Sequence, residues 1–303
     1  MHVLLTRPLE DSIDLIKRFK DKDITSRIYI SEDGINAQMS AAREDAEAYI
    51  EWMKQDERFK GIDFKIHVHH EQAFPRVTVK YRKQLVALDH NANPHQGGEH
   101  VSSEKWKKML EEKDDDTIVI DVRNDYEWKL GHFEGALKPQ LDMFRKFPEY
   151  VDDLKKDYVP GKTKVMMYCT GGIRCELYSA LMKDKGFDEV YQLDGGVIRY
   201  GLEQGDDKWK GQLFVFDDRM SVPLDENNKD NIISSCFKCG TPCDVYYNCA
   251  SMDCNELYIC CKECAEALSG CCSEKCQASP RVRAFEKEGR PKPFRRSEEH
   301  TSE

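Results

Sequence analysis

The sequence predicts a multidomain α/β protein in three parts, and three observations carry that reading. At 303 residues the chain exceeds what one ordinary core supports. Through its middle, apolar strands alternate with helical patterns, as in a parallel sheet covered on both faces. The cysteines are unevenly placed: of 13, none lies among the first 168 residues and 11 lie between Cys236 and Cys276. The expected parts are a small α+β domain over residues 1–92, a parallel-sheet α/β domain over 99–207, and a cysteine-rich region with a basic tail over 208–303.

Bulk properties narrow the class. Hydrophobic content of 40% suffices for folding. A net charge of −10 excludes a globally basic nucleic-acid coat, so any nucleic-acid contact must come from local patches. No apolar run reaches the roughly 18 residues of a membrane span, and no basic leader precedes an apolar stretch. The expectation is a soluble, cytoplasmic protein. A reducing compartment makes metal binding a better reading of the cysteine cluster than a disulfide framework.

In the first part, residues 9–19 have helical spacing, with Leu9, Ile13, Ile16 and Phe19 on one face. Strands are expected over 27–30 and 35–39, joined by the turn 31–34 into a hairpin. A helix over 42–53 follows, with Ala46, Tyr49, Ile50 and Met53 on one side, then strands over 64–68 and 76–86. With residues 3–5 as an opening strand, this order suits a ferredoxin-like α+β sandwich. Arg76, Lys80, Arg82 and Lys83 form a basic patch on it, and such a sheet can present stacking surfaces to single-stranded bases.

Residues 91–98 read as a linker. Ser102, Ser103 and Glu104 then resemble a helix start before Trp106. Strands are expected over 117–121, 164–168 and 189–193, and a helix over 176–185. In such sheets ligand chemistry belongs at the carboxyl ends of strands, and Cys169 sits at one. One further strand is expected within 208–216.

Cys169, Thr170, Gly171, Gly172, Ile173 and Arg174 form a glycine-containing turn that opens a helix. Such a turn aims several N–H groups at one point, and with the helix dipole it favours an anion there. A cysteine at that point should ionise near neutral pH, and Arg174 adds positive charge. A buried structural cysteine is the plainer alternative, but it leaves the glycines and the following helix unexplained. Cys175 is either a resolving thiol for Cys169 or a small buried helix residue.

Loop size separates chemistries. Cysteine-dependent phosphatases resemble C-x5-R, a phosphate-sized cradle, whereas this loop is C-x4-R, suited to a smaller adduct. It resembles a rhodanese active loop. Asp121-Val122-Arg123, Glu127, Gly131-His132 and Gly135-Ala136 resemble the rhodanese D-x-R, E, G-H and G-A positions, and Leu193-Asp194-Gly195-Gly196 resembles a turn near that domain's end. Asp121 and Arg123 read better as a buried ion pair fixing the strand end than as catalytic groups. With the segments 27–36, 193–201 and 214–219 and the cysteine-rich end, the whole chain resembles the rhodanese-like tRNA uridine hydroxylases.

The resemblance implies a ferredoxin-like front domain, a rhodanese domain and a cysteine-rich end. It implies installation of 5-hydroxyuridine at the wobble position of tRNA, with the anticodon region as partner, molecular oxygen as co-substrate and Cys169 as the catalytic cysteine. No flavin or haem motif is present in the sequence. A sulfurtransferase carrying a persulfide on Cys169 is a second reading, and a non-catalytic RNA-binding or scaffold protein a third.

The cysteines at the end are Cys236, Cys239, Cys243, Cys249, Cys254, Cys260, Cys261, Cys264, Cys271, Cys272 and Cys276. Pairs at two- to four-residue spacing suit tetrahedral zinc, and eight or more thiols would suit two ions. The segment is poor in aliphatic residues, so metal could supply its folding energy. Disulfides or a metal-free reduced cluster are alternatives, and the spacing leaves the partition of ligands open. Beyond them, Arg281, Arg283, Arg290, Lys292, Arg295 and Arg296, with Phe285 and Phe294 interleaved, make a basic run able to meet RNA phosphates, a solvated tail being the plainer alternative.

Overall fold

A computed structural model of the chain describes residues 14–15, 18–19, 22–32, 34–86, 88, 92–141 and 146–285. They belong to two compact units. One comprises Met1–Ser102, Asp114–Ile118 and Met143–Arg199; the other comprises Ser103–Lys113, Val119–Asp142 and Tyr200–Glu303.

The first unit begins with the expected hairpin. Strands β1 (Ile24–Ser31) and β2 (Gly34–Ala41) pair antiparallel from Ile24↔Ala41 to Ser31↔Gly34. Ile24, Ile28 and Ile30 fall on one face by the two-residue period and are buried. Helix α1 (Arg43–Gln55) lays Tyr49 and Met53 against the same core, and Glu44 and Asp45 in its first turn complement the helix dipole. Strand β3 (Val77–Tyr81) runs parallel to β1.

The expected strand over 64–68 does not form. Residues 62–69 have no regular structure, and Ile66 and Val68 stand in solvent at 64% and 70% exposure, so the segment buries no apolar face as a sheet strand would. The strand expected over 76–86 is confined to β3. Of the expected first helix, residues 14, 15, 18 and 19 are helical, with Leu15 and Phe19 in the core; Leu9, Ile13, Ile16 and residues 3–5 lie outside the described residues.

The expected linker is docked. Pro94–Gln96 forms a 3-10 turn capped by the Asn93 side chain. The Gly98 N–H donates to Ser179 Oγ at 2.8 Å, and Gln192 Nε2 donates to the Gly98 carbonyl at 2.9 Å. Strand β4 (Glu99–Val101) follows at once.

Strands β5 (Thr117–Asp121), β6 (Gly131–Phe133), β7 (Lys164–Tyr168) and β8 (Val190–Leu193) alternate with helices α2 (Ser103–Glu111), α3 (Asp125–Leu130), α4 (Phe147–Leu154), α5 (Ile173–Asp184) and α6 (Gly196–Gln204). The sheet order is β4-β8-β7-β5, with β8 parallel to both β4 and β7. Continuous apolar runs such as β7 are what a strand covered on both faces requires.

The second unit is built on aromatic residues. The Phe133 ring meets Tyr200 and Trp209 edge-on at 4.9 and 5.2 Å. The single strand expected within 208–216 is two, β9 (Trp209–Gly211), paired antiparallel with β6, and β10 (Leu213–Phe214), paired with β11 (Ser221–Val222). The break is at Gly211, in the left-handed region (φ 85°), where any side chain would strike the Leu130 carbonyl. The cysteine-rich region adds β12 (Tyr246–Asn248), β13 (Leu257–Ile259), α7 (Lys262–Ala267) and α8 (Glu274–Gln277). Its core joins Tyr246, Tyr247, Tyr258 and buried cysteines to Ala250, Ile259 and Ala265. Among the described residues, no helix is long and apolar enough to cross a membrane.

Candidate functional site

Cys169 is the first residue beyond β7, fully buried at the carboxyl end of the strand. Gly172 caps α5 in the left-handed region at φ 97°, a conformation that glycine adopts without penalty. The chain thereby turns back, and the Gly172 N–H donates to Cys169 Sγ at 3.1 Å.

The loop rests on the turn between β8 and α6. The Val197 and Ile198 N–H groups donate to the carbonyls of Cys169 and Thr170 at 3.0 and 3.1 Å. A side chain at Gly196 would lie 2.5 Å from the Cys169 carbonyl and 2.7 Å from the Gly172 nitrogen. The second glycine of Leu193-Asp194-Gly195-Gly196 is thus the residue that lets this turn reach the cysteine loop.

The sulfur is set up to be an anion. Burial pushes the Cys169 thiol up, but three favourable influences outweigh it: the Cys175 thiol as donor, the Arg174 charge, and the backbone N–H groups of Arg174 and Cys175. Together they bring it down to about 5. Cys175, also fully buried, goes the other way: burial and its bond to Cys169 hold it well above the usual thiol range. Arg174 Nη2 donates to Thr170 Oγ1 at 3.3 Å, across the loop. The structure brings Cys169, Thr170, Gly171, Gly172, Ile173, Arg174 and Cys175 together as one loop and first helical turn, with Cys175 as a hydrogen-bond donor to Cys169.

Asp121 and Arg123 form a separate arrangement. Both are fully buried and pair in two parallel bonds of 2.8 and 2.6 Å; Arg123 also donates to the Gly131 carbonyl at 2.6 Å, and its guanidinium lies 5.0 Å from the Trp209 ring centre. This pair braces the end of β5 against the start of β6. Beside it, buried Glu127 accepts from the Asn124 N–H at 3.1 Å and fixes the start of α3.

Several groups by the cysteine loop carried no recognisable sequence signal. Lys65 Nζ donates to the Gly171 carbonyl at 3.1 Å. Arg199 pairs with both Asp194 and Asp63. His100 lies 3.3 Å from Glu176 and 3.6 Å from Asp194, and the bond to Glu176 holds its imidazole above the usual range. Each links segments far apart in the chain, which no local period reveals.

Eight of the eleven terminal cysteines gather into two groups of four, Cys236, Cys239, Cys261 and Cys264, and Cys249, Cys254, Cys272 and Cys276, with all sulfurs in a group within 4.8 Å of one another. Measured separations are 3.7 Å for Cys239–Cys261, 3.7 Å for Cys254–Cys272 and 3.6 Å for Cys272–Cys276. A tetrahedron of thiolates about 2.3 Å from a zinc ion would have edges of roughly 3.8 Å, so each donor set fits such an ion. The groups interleave: the first and third cysteine pairs form one, the second and fourth the other. Cys243, Cys260 and Cys271 belong to neither; they are buried in the tyrosine core, where Cys243 Sγ donates to the Cys260 carbonyl at 3.1 Å.

Of the expected RNA contacts, Arg76, Lys80, Arg82 and Lys83 are exposed on and beside β3, and Arg82 stacks 5.2 Å from the Tyr29 ring centre. In the tail, Arg281 pairs with Asp253. Arg283 donates to the Cys249 carbonyl at 3.1 Å and Asn255 Oδ1 at 2.7 Å, so it braces the second cysteine group. Arg290, Lys292, Arg295 and Arg296 lie outside the described residues.

Comparison with known proteins adds to this geometry. Three family models match the chain: UPF0176 acylphosphatase like domain over residues 3–85, Rhodanese-like domain over 102–201, and Rhodanase C-terminal over 210–277. The chain is 55% identical to the tRNA uridine(34) hydroxylase of Protochlamydia amoebophila (strain UWE25) over 278 residues, covering 92% of this chain and 86% of that protein. It is 57% identical to the protein of the same name from Chlamydia trachomatis serovar D over 279 residues, covering 92% and 85%.

Proposed function

We propose a mechanism from a plain premise: the chain belongs to the tRNA uridine(34) hydroxylase family. It is an enzyme of tRNA modification that hydroxylates the wobble uridine, and tRNA is its substrate. The reading of how it does so rests on one observation, a fully buried Cys169 sulfur that accepts the Gly172 N–H at 3.1 Å at the mouth of α5.

Carbon 5 of uracil is a weak nucleophile. Addition of the Cys169 thiolate to carbon 6 makes carbon 5 electron-rich; carbon 5 adds molecular oxygen as a hydroperoxide, a two-electron thiol reductant from solution converts it to the hydroxyl and water, and loss of the carbon 5 proton then breaks the carbon 6–sulfur bond and returns the Cys169 thiolate. Arg174 and the Gly172 N–H keep the sulfur ionised before it adds. The uridine enters from the anticodon loop, and the exposed cations Arg76, Lys80, Arg82 and Lys83 hold the RNA backbone in the cytoplasm, where tRNA is found.

The organisation we propose is a front domain over 1–92, a rhodanese domain over 99–207 and a metal-stabilised region over 208–303. Cys236, Cys239, Cys261 and Cys264 would hold one zinc ion, and Cys249, Cys254, Cys272 and Cys276 a second. A bound zinc supplies folding energy there.

The test is mass spectrometry of wobble nucleosides in a strain lacking the protein and complemented by wild-type or Cys169→Ser chains. Loss of 5-hydroxyuridine derivatives that only the wild type restores supports this reading. Loss of 2-thiouridine instead would point to sulfur transfer from a Cys169 persulfide, and no change in either to a non-catalytic RNA-binding role.

A further inference from the structure

Lys65 stands 106 residues before Gly171 in the chain, yet its Nζ donates to the Gly171 carbonyl at 3.1 Å. That carbonyl and the Gly172 N–H are the two ends of one peptide group. The N–H end donates to the Cys169 sulfur at 3.1 Å. A trans peptide is planar and its C=O and N–H point in opposite directions, so whatever holds the oxygen on one side aims the N–H on the other.

Apart from the Gly195–Gly196 turn that packs against Gly172, little else holds this peptide. It lies between two glycines, whose backbone torsions are the least restricted of any residue. No atom other than those of its chain neighbours lies within 4 Å of the position a Gly171 side chain would take. A rotation of the peptide plane would turn the oxygen, rather than the N–H, toward the sulfur and oppose the thiolate.

We propose that Lys65 is a positioning residue: it pins the Gly171–Gly172 peptide in the orientation that presents the Gly172 N–H to the Cys169 sulfur. This role depends on Cys169 being the reacting group. Lys65 is itself positioned from the same side. Asp63, two residues earlier, pairs with Arg199 at 2.5 Å, and Arg199 also pairs with Asp194 in the turn beneath the loop. The charged and titratable groups around the sulfur are therefore Arg174, Cys175 and Tyr178 from α5, with the Lys65 ammonium beyond the peptide and Arg199, Asp63 and Asp194 around that ammonium. Burial, then the Arg199 charge, lowers the Lys65 ammonium from its usual range, while Asp63, Cys169 and Asp194 work against that.

The experiment follows iodoacetamide labelling of Cys169 against pH in the full-length wild type and in Lys65→Met, Lys65→Gln and Lys65→Arg. Trypsin cleaves after Lys164 and Arg174, so mass spectrometry reads a peptide in which Cys169 is the only cysteine. Lys65→Met should move the labelling midpoint up by about one pH unit, a roughly tenfold lower thiolate fraction below the midpoint. Lys65→Gln, an uncharged donor, should recover part of the shift and Lys65→Arg most of it. On tRNA, kcat should fall in Lys65→Met with little change in KM.

An unmoved midpoint in Lys65→Met overturns the proposal. So does an equal shift in Met and Gln with none in Arg, because the effect is then charge alone and not the peptide. Labelling needs no tRNA. If the midpoints move as expected in a protein that hydroxylates no uridine, the peptide pin stands and the reading of the reaction falls.

Discussion

The Cys175 thiol donates to the sulfur of Cys169, and two fully buried cysteines are thereby held in opposite states, one brought down to about 5 and the other pushed well above the ordinary thiol range. A proton that stays on Cys175 is part of what lets Cys169 go without one. Cys175→Ala should therefore raise the Cys169 labelling midpoint by about one pH unit or more, and Cys175→Ser, which keeps a donor, by less. A Cys175 acting only as a resolving thiol would leave the midpoint where it is and change only recovery from peroxide.

Cys169→Ser should retain the fold and lose at least about a hundredfold of tRNA hydroxylation, because a serine hydroxyl does not ionise near neutral pH. The same variant exposes a linkage. The Cys169 pKa is lowered in the folded chain, so its stabilisation is present above the unfolded thiol value of roughly 8.5 and is lost as pH falls through about 5. Urea unfolding of wild type and Cys169→Ser from pH 9 to 5 should show their difference shrinking toward the acid end. A constant difference would mean that the thiolate is not what stabilises the loop.

Arg174→Ala should raise the Cys169 midpoint, since it removes both the charge and the bond to Thr170. Arg174→Lys should restore only part, because the planar fork that reaches across the loop is lost. Thr170→Val distinguishes the two contributions: it removes the hydroxyl partner alone and should shift the midpoint less than Arg174→Ala does.

Metal analysis of the purified protein should find two zinc ions per chain. Cys261→Ser should lower that content, whereas Cys243→Ala should leave it at two, because Cys243 lies in neither four-sulfur group. Strong chelators should melt the near-ultraviolet signal of the tyrosine core with the metal loss. Two ions retained by Cys261→Ser would discredit the partition.

The tail experiment must begin after Phe285. Val282 bridges to Ser251, Arg283 braces the second cysteine group, and Phe285 lies against Tyr247, so an earlier cut damages the folded region. Removing 286–303 should weaken tRNA binding and reduce its dependence on salt by about 0.7–0.9 in the log–log slope for each RNA phosphate that the tail neutralises. Equal slopes would leave Arg76, Lys80, Arg82 and Lys83 as the RNA-binding surface.

What the sequence made legible follows from how local each signal is. The strand 164–168 and the turn Cys169 to Arg174 are contiguous, and their apolar run, glycines and helix start could be read directly. Phe64, Ile66 and Val68 alternate as a strand does, but alternation says nothing of whether that face finds a core to cover it, and Ile66 and Val68 are left exposed. Gly98 reads as linker, although its N–H and carbonyl are taken by Ser179 and Gln192. The cysteine spacing indicated metal but could not choose eight from eleven, because the choice depends on which pairs the fold brings together. Lys65 was invisible for the same reason.

Because the two cysteine groups interleave, a ribosome delivers their ligands out of turn. Cys236 and Cys239 emerge first, and the next pair to follow, Cys249 and Cys254, belongs to the other group; only then do Cys261 and Cys264 arrive. A nascent chain that has reached residue 254 carries two cysteines of each group, and neither group is complete. The first group can close only once Cys264 has been made, and the second only once Cys276 has. Any break between residues 254 and 261 opens both rings at once, so this region has no half that can be inherited, cleaved or expressed as a working piece.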